Sequence, residues 1–343
     1  MQGHILSRDS ELLRWQHAFP GNMTKLSILT AREGDALTGI LGLIPFRFCH
    51  RGKSLPACWL ALWMAPKGKG NKLTGLRLFQ SALAQDRSFV GSLGVNEDTY
   101  PVYEALGFHI RKSIPRWVLP GSREHAMPLF GDRATVDGLA TWGKHQPEVE
   151  ESTTINLIEW NTESTERWDS AWSEHFAPRL MGTWRDADYL RWRYIDHPRF
   201  KYVVRFAEDS ESGSLSELLV YRVEKVRDHE AKVLRILEFL GNGSTGKELA
   251  RAVAQAAKSE GVAFSDFYCT SPSFAAPLEE AGFVPEEELG LFTPSRFQPL
   301  DWQSNSLNGT FWASPEVAED SRSFFQASDF YVTRADGDQD RPN

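Results

Sequence analysis

Cysteine is scarce in this chain of 343 residues: Cys49, Cys58 and Cys269, with no C-x-x-C spacing. An odd count without paired spacing excludes a disulfide framework and a thiolate zinc site, and it fits a reducing compartment. Long apolar runs are also missing. The longest fall well short of the roughly 18 residues a membrane span needs. The start, "MQGHILSRDSELL", has no apolar signal core. The expectation is a cytoplasmic protein that does not enter a membrane. Excess positive charge is absent as well. Lys and Arg number 38 against 46 Asp and Glu, a net charge of -8, and such a field repels nucleic acid. No metal is expected. Asp336, Asp338 and Asp340 have the D-x-D-x-D spacing of a calcium loop, but Arg341 stands where Gly is needed and no twelfth-position Glu follows. The charge of this tail favours disorder, whereas the apolar "FFQASDFYV" before it favours docking.

What is present is ordinary globular composition, 41% hydrophobic and 24% charged, with twelve tryptophans. The length predicts two domains. In the first half a helix over Ser7–Phe19 precedes the strands "KLSILTARE", "ALTGILGLIPFRFCHRGK" and "ACWLALWM". A Lys- and Gly-rich loop leads to a helix with Leu73, Leu76, Phe79 and Leu83 at helical spacing. "SFVGSLGV" is a strand, "TYPVYEALGF" a short helix capped by Gly107, and "IRKSIPRWVL" a last strand. The stretch 121–150 reads as a linker. The order then repeats: the strand "TINLIEW", helices over "TERWDSAWSEHF" and "DADYLRWRYI", a three-strand meander, and the Gly loop "GNGSTGKE" with its helix. The strand "AFSDFYC", the helix "FAAPLEEAGF" and the strand "LGLFTPSRF" complete it. The fold class is α+β, with domains 1–120 and 151–300 and a docking C-terminal extension, 301–343.

Each half thus has three strands, a glycine loop at a helix N-terminus, a strand, a short helix ending in Gly-Phe, and a strand. Glycines at a helix start suit an anion, because the unsatisfied N–H groups and the positive dipole end point at it. The second loop scans as a Walker A motif, but Glu248 replaces the Ser or Thr that would bind magnesium. Thr245-x-x-Glu248 reads instead as a capping box.

The repeated unit resembles the GCN5-related N-acetyltransferase (GNAT) fold, a mixed, mostly antiparallel sheet flanked by helices, here as two tandem domains. The resemblance rests on "KGKGNK" at the helix start and "YEALGF" downstream. It implies acetyl-coenzyme A or a longer acyl-coenzyme A as co-substrate, with the pyrophosphate held by Lys67, Gly68, Lys69, Gly70, Asn71 and Lys72. Lys67 stands where the family has Arg or Gln, Gly70 matches its first glycine, and Lys72 departs from its Gly or Ala. Tyr103 takes the place of the tyrosine that protonates the departing thiolate, and Asn96 that of a residue reaching the pantetheine arm. In the second half Leu278 stands where Tyr103 does, five residues before Phe283, and leucine donates no proton. The resemblance therefore places the chemistry in the first unit only.

No base is evident, since "ACWLALWM" carries no carboxylate. Glu97 and Asp98 follow the next strand, but each also suits a helix cap. Glu238, on "RILEFLG", serves the substrate or points to solvent from a half-exposed strand. In "WRDADYLRWRYIDHPR", Asp186 suits an N-cap. Tyr189, Arg191 and Arg193 either grip and stack on a phosphorylated acceptor or form ion pairs over an aromatic core. The tandem units, "YLRWRY" and "DGDQDRPN" are similar to bacterial sugar N-acyltransferases. They imply a small-molecule amine, a nucleotide-linked amino sugar of surface polysaccharide synthesis, held by the second unit and the cleft between domains, and they allow a homodimer. Two alternatives stand beside this: an aminoacyl transferase of the peptidoglycan-bridge type, disfavoured by the charge of -8, and a non-catalytic binding module.

Overall fold

A computed structural model describes residues 5–19, 22–66, 73–146, 155–209, 212–318 and 321–341. By contacts the chain divides into two interleaved units: 1–113 with 176–199 and 307–341, and 114–175 with 200–306 and 342–343. Elements are numbered along the chain. The first unit contains β1 (Ala18–Phe19), β2 (Asn22–Leu26), β3 (Ile28–Glu33), β4 (Ala36–His50), β5 (Lys53–Met64), β6 (Phe89–Leu93), β7 (His109–Arg111), β10 (Met181–Thr183), β18 (Gly309–Ala313) and β19 (Phe330–Tyr331). The second contains β8 (Arg116–Pro120), β9 (Asn156–Glu159), β11 (Val203–Glu208), β12 (Leu215–Lys225), β13 (Lys232–Leu240), β14 (Phe264–Tyr268) and β15 (Val284–Pro285), with the small pair β16 (Arg296–Phe297) and β17 (Leu300–Asp301).

The first large sheet runs β19-β10-β4-β5-β6-β18-β7, with β3 also on β4; the second runs β15-β8-β14-β13-β12-β11-β9. Each is a mixed, mostly antiparallel sheet with a parallel pair at its centre, β5 with β6 and β13 with β14, and the first has another at its edge, β10 with β19. The two sheets exchange strands. β8 follows β7 in the chain but pairs with β14 and β15. β18 follows the second unit's strands but pairs with β6 and β7. "IRKSIPRWVL" is therefore not one closing strand, and "LGLFTPSRF" does not close the second sheet. Alternation tells a strand from a helix, but it does not say which distant edge will accept the strand.

Aromatic burial keeps the late strands in the first unit. Phe48 of β4 stacks on Phe89 of β6 at 4.5 Å, and Phe311 of β18 meets Phe330 of β19 at 5.1 Å. Each such ring contributes roughly 1.5–3 kcal/mol on burial. On its other face the sheet packs under α2 (Thr74–Leu83) through Leu78, Phe79 and Ala82. Leu73, expected on that face, is exposed, because the helix is turned so that Thr74 and Leu78 close on Gly39, where a Cβ would lie 2.9 Å from both side chains.

The stretch 121–150 contains two helices, α4 (Arg123–Phe130) and α5 (Val136–Lys144), and α6 (Thr162–Ala171) follows β9. Its Gly and Pro made it look unstructured, yet Phe130 and Trp142 are buried in the second unit's core. "DADYLRWRYI" belongs to the first unit. It forms one α turn, α7 (Ala187–Leu190), capped by Asp186, then a wider π turn over Arg191–Ile195. The helix after "GNG", α8 (Gly243–Glu260), is capped by Asn242, not by Thr245. Glu248 pairs with Arg251 instead. No helix among the described residues is long and apolar enough to cross a membrane.

Candidate active site

The central parallel pair of the first unit parts. β5 meets β6 at Ala57–Phe89, Cys58–Val90 and Trp59–Gly91, while β5 runs on to Met64 and β6 to Leu93. Across the opening gap the Ser92 hydroxyl donates to the Leu60 carbonyl at 3.3 Å. Just beyond it β5 bulges. Its register on β4 slips between Gly42–Ala61 and Ile40–Met64, and Leu62 has φ of 53°. A left-handed leucine costs about 1–2 kcal/mol. Strain of this kind persists where the surroundings over-determine it, and it often marks a functional site.

Tyr103 lies beside this gap. It follows from α3 (Tyr100–Ala105), a short helix stopped by Gly107 at φ 82°, and the Tyr103 carbonyl accepts from Phe108 N–H at 3.0 Å. Its ring is edge-on to Phe79, Phe108 and Trp63 and is only 3% exposed. Its hydroxyl lies near Ser92 and Thr310, within reach of the Asp338 charge. Burial raises its pKa first, the neighbouring Ser92 and Thr310 side chains pull it back, and the Asp338 charge raises it again. The phenol is therefore protonated at neutral pH.

His17, at the end of α1 (Ser10–His17), packs against the bulge: a Cβ on Gly42 would lie 2.5 Å from its Cε1. Its Nδ1 is 2.9 Å from the Leu43 carbonyl, which only accepts, so Nδ1 carries the hydrogen and Nε2 receives the Gln16 amide at 3.1 Å. Burial lowers its pKa, with the Leu43 bond and Asp338 opposing. The buried imidazole is neutral.

The C-terminal tail completes the site, and charge alone had pointed to disorder. Asp336 is buried and accepts from Arg185 Nη2 at 2.8 Å, Thr333 N–H at 2.9 Å and the Thr183 hydroxyl. Arg193 donates from Nε and Nη2 to the Ala335 carbonyl at 2.9 and 2.8 Å. Gln339 Nε2 donates to Leu93, the last residue of β6, at 3.0 Å. The tail therefore carries Asp338 into the range of both Tyr103 and His17. Asp338 itself accepts from Arg341 at 2.7 Å.

The other expected site residues are scattered. Lys67, Gly68, Lys69, Gly70, Asn71 and Lys72 lie outside the described residues. Asn96 is exposed and accepts from Asp98 N–H at 3.1 Å, capping a turn. Tyr189 and Arg193 are buried, and Arg193 holds the tail; of the trio, Arg191 is exposed. Glu238 belongs to the second unit and is 0% exposed, so it does not point to solvent as a half-exposed strand would have it. Burial pushes the Cys49 and Cys58 thiols up to about 11, and neither is a thiolate nucleophile at neutral pH. Ser92, Thr310, His17 and Asp338 were not recognisable as site residues in the sequence, since each comes from a separate element. The one available signal was the apolar run before the acidic tail, which argued for docking.

The second unit repeats the frame without the phenol. β13 pairs with β14 from Val233–Phe264 to Ile236–Phe267 and runs on to Leu240; it bulges at Leu237, between Tyr221–Ile236 and Val220–Glu238. Leu278, on α9 (Ala276–Glu280), accepts from Phe283 N–H at 3.0 Å. Arg116, Arg235 and Asp266 form buried ion pairs across β8, β13 and β14.

No protein-family model matches the chain, and no curated protein matches it in sequence. Solved structures share the fold. A GCN5-related N-acetyltransferase from Anabaena variabilis superposes with TM-score 0.53 at 11% identity, over 86% of this chain and 64% of that one. Saccharomyces cerevisiae N-myristoyltransferase with bound myristoyl-CoA gives TM-score 0.52 at 11% identity, over 89% of this chain and 74% of that one. A GCN5-related N-acetyltransferase from Kribbella flavida gives 0.48 at 12%, over 84% and 60%. The chain thus spans less than two thirds of the length of these bacterial structures. The fold is of the GCN5-related acetyltransferase type, with two such sheets in one chain.

Proposed function

We propose that this protein transfers an acyl group from an acyl-coenzyme A to an amine, and that the reaction belongs to the unit bearing Tyr103. The carrying observation is the neutral Tyr103 hydroxyl beside a parted parallel pair whose outer strand bulges at Leu62. Parted strands leave backbone N–H and C=O groups that pair with the amides of a pantetheine arm, as strand addition does elsewhere. An N–H freed at the bulge polarises the thioester carbonyl as charge develops on its oxygen. The amine attacks, Asp338 takes the ammonium proton, and Tyr103 gives its proton to the leaving thiolate. The cationic stretch Lys67–Lys72, before α2, supplies charge and glycine backbone for the pyrophosphate. The likeness to an acetyltransferase and to a myristoyl-CoA-bound enzyme supports the donor class.

For the acceptor, the reading is a nucleotide-linked amino sugar. The burial of Tyr189 and Arg193 leaves Arg191 as the exposed member of the proposed recognition trio. The test is thiol release from acetyl-, butyryl- and myristoyl-coenzyme A with a panel of amino-sugar nucleotides and simple amines. Amine-dependent release is expected, and Asp338→Asn is expected to lower it about 10²–10⁴-fold. Absence of release with every donor overturns the reading.

A further inference from the structure

Away from the parted strands, the first unit has a cavity of about 510 Å³ lined by Lys25, Ser27, Pro45, Phe46, Arg47, Ser54, Leu55, Pro56, Ala57 and Arg87. We propose that this cavity is a separate binding site for an anion with a short apolar body, such as a carboxylate or a phosphate monoester on an alkyl chain.

Its lining divides by chemistry. Pro45, Phe46, Leu55, Pro56 and Ala57 are apolar, Ser27 and Ser54 bring hydroxyls, and Lys25, Arg47 and Arg87 bring positive charge; among the described lining residues there is no carboxylate, though Asp186 adjoins through Arg47. In a chain of net charge -8, Lys25 and Arg87 bring uncompensated positive charge to the hollow, and Arg47, paired with Asp186, adds guanidinium donors. The volume is that of a small-molecule pocket, and apolar walls with a few convergent polar groups are its usual composition.

The two arginines are held in place with donors to spare. Arg87 gives Nη1 to the Ala57 carbonyl at 3.1 Å and Nη2 to Gln85 at 2.7 Å, while its Nε is buried without a hydrogen-bond partner. Arg47 pairs with Asp186 through Nη2 and lies over the Trp184 ring at 5.8 Å. A guanidinium has five N–H donors in a planar fork, so each retains donors for a carboxylate or phosphate. Lys25, on β2, adds an exposed ammonium. The site is distinct from the proposed transfer site. Ala57 and Leu62 lie five residues apart on β5, about 16 Å along an extended strand, and the cavity is at the end of the parallel pair away from the bulge.

The experiment is titration calorimetry of the full chain with octanoate, octyl phosphate and octyl glucoside, on wild type and on the Lys25→Glu/Arg47→Gln variant. Both anions are expected to bind one to one, and the neutral glucoside not to bind. Binding to either anion shows the shared chemistry, and their ranking tells carboxylate from phosphate. The variant is expected to bind at least about tenfold more weakly, the loss of charge-assisted hydrogen bonds, with an unchanged melting temperature. Should it fail to fold, Ser54→Trp, which fills the cavity from an exposed position, decides instead and is expected to abolish binding. Equal binding of octyl glucoside, no binding of either anion, or wild-type affinity in the folded variants overturns the proposal. No acyl-coenzyme A takes part, so a failed thiol-release assay leaves this result untouched.

Discussion

Tyr103 and Leu278 occupy the same position in two copies of one motif. Each gives its carbonyl to the N–H of a phenylalanine five residues on, Phe108 and Phe283, at 3.0 Å, around a glycine of positive φ. The backbones match, and the side chains differ in the one group that donates a proton. A frame kept with and without its phenol suggests a clean test of what the phenol does.

Tyr103→Phe retains the ring among Phe79, Phe108 and Trp63 and removes the hydroxyl. Turnover is expected to fall about 10²–10⁴-fold, the range for loss of a general acid. The stability cost is expected to stay within about 1.5 kcal/mol, from the lost polar contact of the hydroxyl with Ser92. Turnover and melting temperature measured on the same protein check this; wild-type turnover removes Tyr103 from the mechanism.

Gly94→Ala is expected to push the Gln339 side chain off the Leu93 carbonyl while Arg185 and Arg193 still hold the tail. Gly94 has φ of 63°, and an added Cβ would lie 2.4 Å from Gln339 Oε1. Gly34 has a similar φ of 56° with open space around it, so Gly34→Ala carries only the left-handed cost of about 1–2 kcal/mol. Limited proteolysis is expected to clip the C-terminus of the first variant somewhat faster than that of the second; equal rates would show that the Gln339 contact adds nothing to tail docking.

Arg185→Met leaves Asp336 buried with its guanidinium partner gone. Breaking a buried pair on one side costs about 3–5 kcal/mol, whereas replacing both partners by apolar groups recovers much of it. Urea unfolding is expected to show a large fall for Arg185→Met and a smaller one for Arg185→Met/Asp336→Leu. Equal falls would show that the pair is not what anchors the tail.

His17 makes stability depend on pH in one direction. Burial holds its pKa below the ordinary 6.5. Below pH 6.5 the unfolded chain therefore binds a proton that the folded chain does not. Stability falls as pH drops from 6.5 to the folded pKa and is level below it, with a slope of up to about 1.4 kcal/mol per pH unit from this group. Unfolding free energies of wild type and His17→Gln across pH 5 to 7 check this: the difference between them is expected to shrink as the pH falls.

Local order was legible in the sequence because its causes are local. Gly107 and Gly282 cap their helices as their spacing with Phe108 and Phe283 implied, and Asp186 caps α7. The Tyr103–Leu278 difference needed only that repeat to be seen. The tertiary structure alone decided that β8 and β18 change sheets, since any open strand edge offers the same N–H and C=O groups and the side-chain period does not name the partner. It also decided the fate of the charges. Arg193 looked available to a ligand but spends its donors on Ala335, and Asp336 looked solvated but is buried against Arg185. A charged residue type states a cost of burial, and only the partners that the fold assembles determine whether that cost is met.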